Sequence, residues 1–105
     1  DAQVTHSYSE LLARLAARRT VMVGLDATVV QSQTSGHRTS LLAEIGEGCP
    51  ARPCLATIVY GARTSPLRGE VWRVYGRVER TVAAPPQAAR IPEIEADILL
   101  PPPAP

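Results

Sequence analysis

Two periodicities divide the chain. Over SYSELLARLAARR (7–19), Tyr8, Leu11, Leu12, Leu15 and Ala16 recur at i, i+3, i+4, i+7 and i+8. That spacing predicts one amphipathic helix with a single apolar stripe toward a core. Ser7 and Glu10 have capping-box spacing, in which hydroxyl and carboxylate satisfy amides of the first turn. Arg18 and Arg19 suit the negative C-terminal end. From Thr20 the period falls to two. TVMVGLDATVVQ (20–31) reads as a long strand, QSQTSGHR (31–38) as a polar turn, and TSLLAEIG (39–46) as a second strand with Leu41, Ala43 and Ile45 on one face. CLATIVYG (54–61) is apolar at both alternations, as expected of a strand covered on both sides. ARTSPLRG (62–69) is a connection. EVWRVYGRVERTV (70–82) is a fourth strand, AAPPQAAR (83–90) a Pro-rich loop, and IPEIEADILL (91–100) a fifth strand.

Strands 1 and 4 are long, and each carries a central glycine, Gly24 and Gly76. Glycine inside a strand marks a bulge or sharp bend. A sheet of five strands with two bent ones tends to curl shut, which removes its aggregation-prone edges. The expected fold is therefore mainly β: a five-stranded closed or partly open barrel with one N-terminal α-helix. Residues 1–6 read as an extension and 7–100 as the domain. The Pro-rich tail 101–105, PPPAP, cannot join a sheet.

TVMVGLDATVVQ as a kinked first strand, VWRVYGRVERTV as the fourth and the closing IPEIEADILL together resemble an oligonucleotide/oligosaccharide-binding (OB) fold. The leading helix resembles that of small exported bacterial OB domains. The resemblance covers about residues 7–100 and contains no invariant signature. It departs from the common pattern in one place. Many OB folds carry a helix between strands 3 and 4, and ARTSPLRG is too short and too rich in Pro and Gly for one. The N-terminal helix is then expected to plug the barrel end. The resemblance implies that the loops between strands 1–2 and 4–5 flank the ligand cleft.

The only cysteines, Cys49 and Cys54, enclose Pro-Ala-Arg-Pro. A redox CxxC motif has two intervening residues rather than four. A structural zinc site needs about four ligands, and His6 and His37, the only histidines, lack ligand spacing. The expectation is a local disulfide bracing the tip between strands 2 and 3. Two buried free thiols or a metal are the alternatives. A disulfide implies an oxidising compartment, periplasmic or extracellular. The opening DAQ is the kind of start a signal peptidase leaves, and equally one left by trimming a longer chain. No apolar run reaches the ~18 residues of a membrane span.

Net charge is +1, with all eleven basic residues Arg and none Lys. No global field draws in nucleic acid or an anionic membrane. Nothing resembles a catalytic constellation: GxSxG, HExxH and a phosphate-cradling glycine loop are all missing. Asp26, Glu44 and Glu47 have no evident partners, and His37 sits in a polar turn. No enzyme and no cofactor is expected.

Strand 4 alternates sharply. Trp72, Val74, Gly76 and Val78 are assigned inward, leaving Arg73, Tyr75, Arg77 and Glu79 outward. Arg73, Tyr75 and Arg77 form a candidate binding face, a tyrosine stacking platform flanked by cations. The opposing expectation is that Glu93, Glu95 and Asp97 of strand 5 neutralise those arginines across the ladder, with Ile94, Ala96, Ile98 and Leu100 on the other face. Arg38 and Arg90 are candidate anchors on the two loops. The reading is a non-enzymatic exported module that contacts protein partners in a bacterial envelope or secretion assembly. A single-stranded nucleic-acid-binding domain and a glycan-binding subunit resembling toxin B-subunits are the alternatives.

Overall fold

A computed structural model describes residues 8–17, 20–46, 54–83 and 90–103. The order is one helix and five strands: α1 (Tyr8–Ala16), β1 (Val21–Ser35), β2 (Arg38–Ile45), β3 (Leu55–Tyr60), β4 (Val71–Ala83) and β5 (Arg90–Leu100). The strands close into a barrel in the order β1-β2-β3-β5-β4. All neighbours are antiparallel except β3 and β5, which run parallel from Thr57↔Glu93 to Tyr60↔Ala96. This is a five-stranded, closed, mixed barrel, compatible with an OB-like fold. Ser7, Arg18, Arg19, the side chains of Tyr8, Glu10 and Leu12, Cys49, Glu47, the loop 84–89 and the ends 1–7 and 104–105 lie outside the described residues.

Inward positions come from every strand. Val21, Val23, Leu25, Ala27 and Val29 of β1 meet Leu41, Ala43 and Ile45 of β2, Ala56 and Ile58 of β3, Trp72, Val74 and Val78 of β4, and Ile94 and Leu99 of β5. Leu11 and Leu15 of α1 join this cluster. The helix packs where β1 begins and β4 continues, against β1 and β4. Ala16, assigned to the apolar stripe, is exposed, because the helix ends there. The expected helix 7–19 is thus Tyr8–Ala16 in the described residues.

No helix joins β3 to β4. The connection 62–70 instead lies along the part of β1 that β4 leaves uncovered. Val29 N–H donates to the Glu70 carbonyl at 2.9 Å, and Gly69 N–H donates to the Val29 carbonyl at 2.8 Å. The Ser32 hydroxyl donates to the Pro66 carbonyl (2.8 Å) and the Thr34 hydroxyl to the Thr64 carbonyl (3.3 Å). Thr39, fully buried, donates to the Ala62 carbonyl at 2.9 Å and accepts from Thr64 N–H at 3.0 Å. A buried hydroxyl used in both directions is satisfied and orients the strap it holds.

Four expectations are corrected. The segment QSQTSGHR is no open loop: β1 runs on to Ser35, and only Gly36 and His37 turn before the Ser35↔Arg38 pair. Gly36 takes φ +62°, the left-handed conformation a two-residue hairpin favours. These residues look turn-like because both faces of the strand meet water or loop carbonyls. The ladder irregularity in β1 is at Val30, between Val29 and Gln31, while the pairing of Gly24 with Tyr75 is regular. β3 is not covered on both sides: Leu55, Thr57, Val59 and Tyr60 stay partly exposed, since only the inner face is packed. Finally, the alternation along β5 breaks. Tyr75 pairs Ile98 and Gly76 pairs Ala96, so Asp97 bulges out. The bulge sends Leu99 inward and leaves Ile98 and Leu100 48% and 46% exposed.

Gly76 is required for a different reason from a turn. A Cβ there would collide with the Glu95 carbonyl and stand 2.9 Å from the Ala96 Cα, so β5 can approach β4 this closely only over glycine.

Candidate interaction surface

The alternation on β4 is as expected. Trp72, Val74, Gly76 and Val78 are buried, and Arg73, Tyr75, Arg77 and Glu79 face outward. Arg73 Nε donates to the Tyr75 hydroxyl at 3.2 Å, and its guanidinium carbon lies 5.1 Å from the ring centroid, within cation–π range. Its NH1 reaches Asp26 Oδ1 at 3.3 Å. The Tyr75 hydrogen bond, with Asp26 adding to it, raises the Arg73 pKa further above its already high ordinary value.

The neutralising partners were only partly assigned. Arg77 meets Glu95 at 3.5 Å and Glu79 at 3.9 Å. Arg80 meets Glu93 at 2.7 Å. Arg73 does not face a carboxylate of β5: it lies beyond the acidic stretch, and the residue opposite it is Leu100. Its partner is Asp26 of β1, directly across the other ladder. An acidic residue in the middle of an otherwise apolar strand was the available signal. Asp97 pairs with none of these arginines.

Around Tyr75 the register sets Ile98 on one side and Gly24 on the other. Exposed Met22, Val71, Ile98 and Leu100 border the stripe, and the first two are 41% and 45% exposed. The wall is therefore a mixed surface, with an aromatic ring and an arginine among apolar side chains and its charges cancelled pairwise. Aromatic and Arg side chains of this kind are enriched in protein interfaces.

Arg90 does not project as a loop anchor. It begins β5 and holds β4, donating through Nε to the Thr81 hydroxyl at 2.8 Å and through NH2 to the Thr81 carbonyl. Arg38 opens β2 and is exposed at the end of a shallow groove lined by Gln33, Ser35, Ser40 and Val59. Arg63, from the strap, donates to the Gly36 carbonyl and so lies at the same turn. Arg63 was not among the expected residues, and its place depends on a pairing 27 residues away in sequence. A second shallow depression joins Gln31, Gln33, Ser40, Leu42 and Thr57. The Thr57 hydroxyl is the one buried side-chain polar atom without a hydrogen-bond partner among the described residues.

Among the described residues no group of three or more His, Cys, Asp or Glu side chains is placed to hold a metal ion. No described helix is long and apolar enough to cross a membrane. Cys54 is buried, and its carbonyl accepts from Ile45 N–H at 2.8 Å, beside the last rung of the β2–β3 ladder. No family model, curated protein or solved structure matches the chain.

Proposed function

We propose that this barrel is a non-enzymatic, exported module that works through protein contacts in a bacterial envelope or secretion assembly. The observation that carries the reading is the β4 wall. Its three arginines are each committed to a carboxylate, while Tyr75 stands among exposed apolar side chains. Nucleic-acid binding draws its affinity from cations that can release phosphate counterions. Arginines already paired with Asp26, Glu95 and Glu93 supply little of that. The Arg73–Tyr75 stack favours the nucleic-acid alternative, and the polar groove on β1–β2–β3 favours the glycan alternative. Among the described residues the other rings turn elsewhere: Trp72 is buried and Tyr60 packs against the core.

The test is a titration with an oligothymidylate across a salt series. The expected result is no measurable binding at 50 mM salt. Micromolar affinity falling steeply with salt would replace the protein-contact reading with the nucleic-acid one.

Export rests on a Cys49–Cys54 disulfide. The support is that no cysteine among the described residues is free and that prolines flank the ring interior. A ring this small removes little chain entropy, so Cys54→Ser costs about 2 kcal/mol, and reductant has no further effect on that variant. Two free thiols in the denatured, unreduced protein would remove the argument for an oxidising compartment.

A further inference from the structure

We infer that the β1–β2 hairpin end of the barrel is the docking point for an acidic, extended segment of a protein partner, with Arg38 and Arg63 as its anchors. This rests on the protein-contact reading and names the chemistry of the partner. Arg38, Arg63 and Arg68 form no ion pair among the described residues, in contrast to the arginines of β4. Arg38 and Arg63 flank one turn. The first opens β2 directly after it, and the second holds the Gly36 carbonyl inside it. That hydrogen bond is donated by NH1 and holds the guanidinium itself beside the turn, so less rotamer freedom remains to be lost when a carboxylate meets its other N–H groups.

The groove leading from Arg38 has the matching chemistry. Gln33 and Ser40 sit opposite each other across the β1–β2 ladder, and Ser40 is opposite Val59 of β3. Amide and hydroxyl groups in such a row suit the backbone of an extended peptide, and the two guanidiniums suit its carboxylates. Nucleic acid would need rings to stack its bases. The aromatic residue nearest in the ladder, Tyr60, packs against the core instead. Hydrogen bonds fix the strap and turn that carry Arg63, so the site is built before the partner arrives.

The probe is a capped octaglutamate peptide, followed by amide-resolved NMR at low salt, with octaglutamine and an eight-residue oligothymidylate as comparators. Octaglutamate is expected to shift the amides of Gly36, Arg38, Ser40 and Arg63, and octaglutamine to shift none. Reversing both anchors, Arg38→Glu with Arg63→Glu, lowers the affinity at least tenfold. Arg14→Glu with Arg90→Glu changes net charge equally and lowers it less than threefold, which separates a local site from the overall field. The milder pair Arg38→Gln with Arg63→Gln gives a loss of several-fold and serves if the reversal disturbs the hairpin. Shifts centred on Arg73, Tyr75 and Arg77, or equal losses in both reversed pairs, overturn the inference. Silence toward octaglutamate overturns it while leaving the protein-contact reading in place. Tighter binding of the oligothymidylate at the same amides overturns both.

Discussion

The two ends of β1 face the same problem, how to hold arginines on a small barrel, and meet it differently. Near its start β1 pairs with β4, and every outward arginine of β4 meets a carboxylate on β1 or β5. Near its finish β1 still pairs with β2, but the strap 62–70 takes the place of β4 on its other edge, and Arg38, Arg63 and Arg68 there have no acidic partner among the described residues. Composition does not distinguish the two sets; register does. A ladder repeats its pairings, so complementary charges can be placed opposite one another. A strap offers carbonyls to a few hydroxyls and leaves its arginines without carboxylate partners among the described residues.

The contrast predicts where the barrel tolerates change. Gly76→Ala forces a Cβ into the backbone of β5 at Glu95 and Ala96, and no flexible side chain can give way. The expected loss is about 3 kcal/mol, at the upper end for overpacking, measured by chemical denaturation. Gly36→Ala meets open space and is strained only through its φ of +62°, so about 1 kcal/mol is expected. A Gly36→Ala variant as unstable as Gly76→Ala would mean that the hairpin end is the more tightly built of the two. Thr39→Val falls between them. It removes the hydroxyl that holds Ala62 and Thr64, leaving a partly buried N–H and C=O without that partner, for about 1–3 kcal/mol. Faster amide exchange at Thr64 than at Val74 in that variant would locate the loss in the strap.

The wall was legible in the sequence and the strap was not. The alternation along β4 assigns its inward and outward residues correctly, because each residue's face depends on local period alone. The same logic follows β1 only as far as Val29. Beyond it the strand is exposed, and its face toward the strap carries Ser32 and Thr34, whose hydroxyls are satisfied by carbonyls some thirty residues away. No local pattern announces that a polar stretch will be paired. β5 misled for a related reason. Its bulge falls at Asp97, with no glycine to mark it, and one inserted residue exchanges the faces of Ile98, Leu99 and Leu100. The candidate face was therefore right in its residues and wrong in one partner, Asp26 rather than an acid of β5. Arg63 was invisible until the fold brought it to Gly36.

The smallest expected effect tests the charge side of the comparison. Arg77 and Glu95 are both about half exposed and lie directly opposite across β4 and β5. Exposed pairs of this kind contribute roughly 0.2–1 kcal/mol. A double-mutant cycle with Arg77→Gln and Glu95→Gln should return a coupling in that range that shrinks as salt rises. The same cycle between Arg38 and Glu44, on one strand but with no ion pair between them, should return nothing measurable. The sharper readout is functional. If pairing is what keeps the wall indifferent to polyanions, Glu95→Gln with Glu79→Gln frees the Arg77 cation beside Tyr75 and should give weak, salt-sensitive oligothymidylate binding where the parent protein shows none. An unchanged, silent double variant lacking both carboxylates would show that pairing is not what holds polyanions off, and the contrast between wall and strap would then have to rest on shape alone.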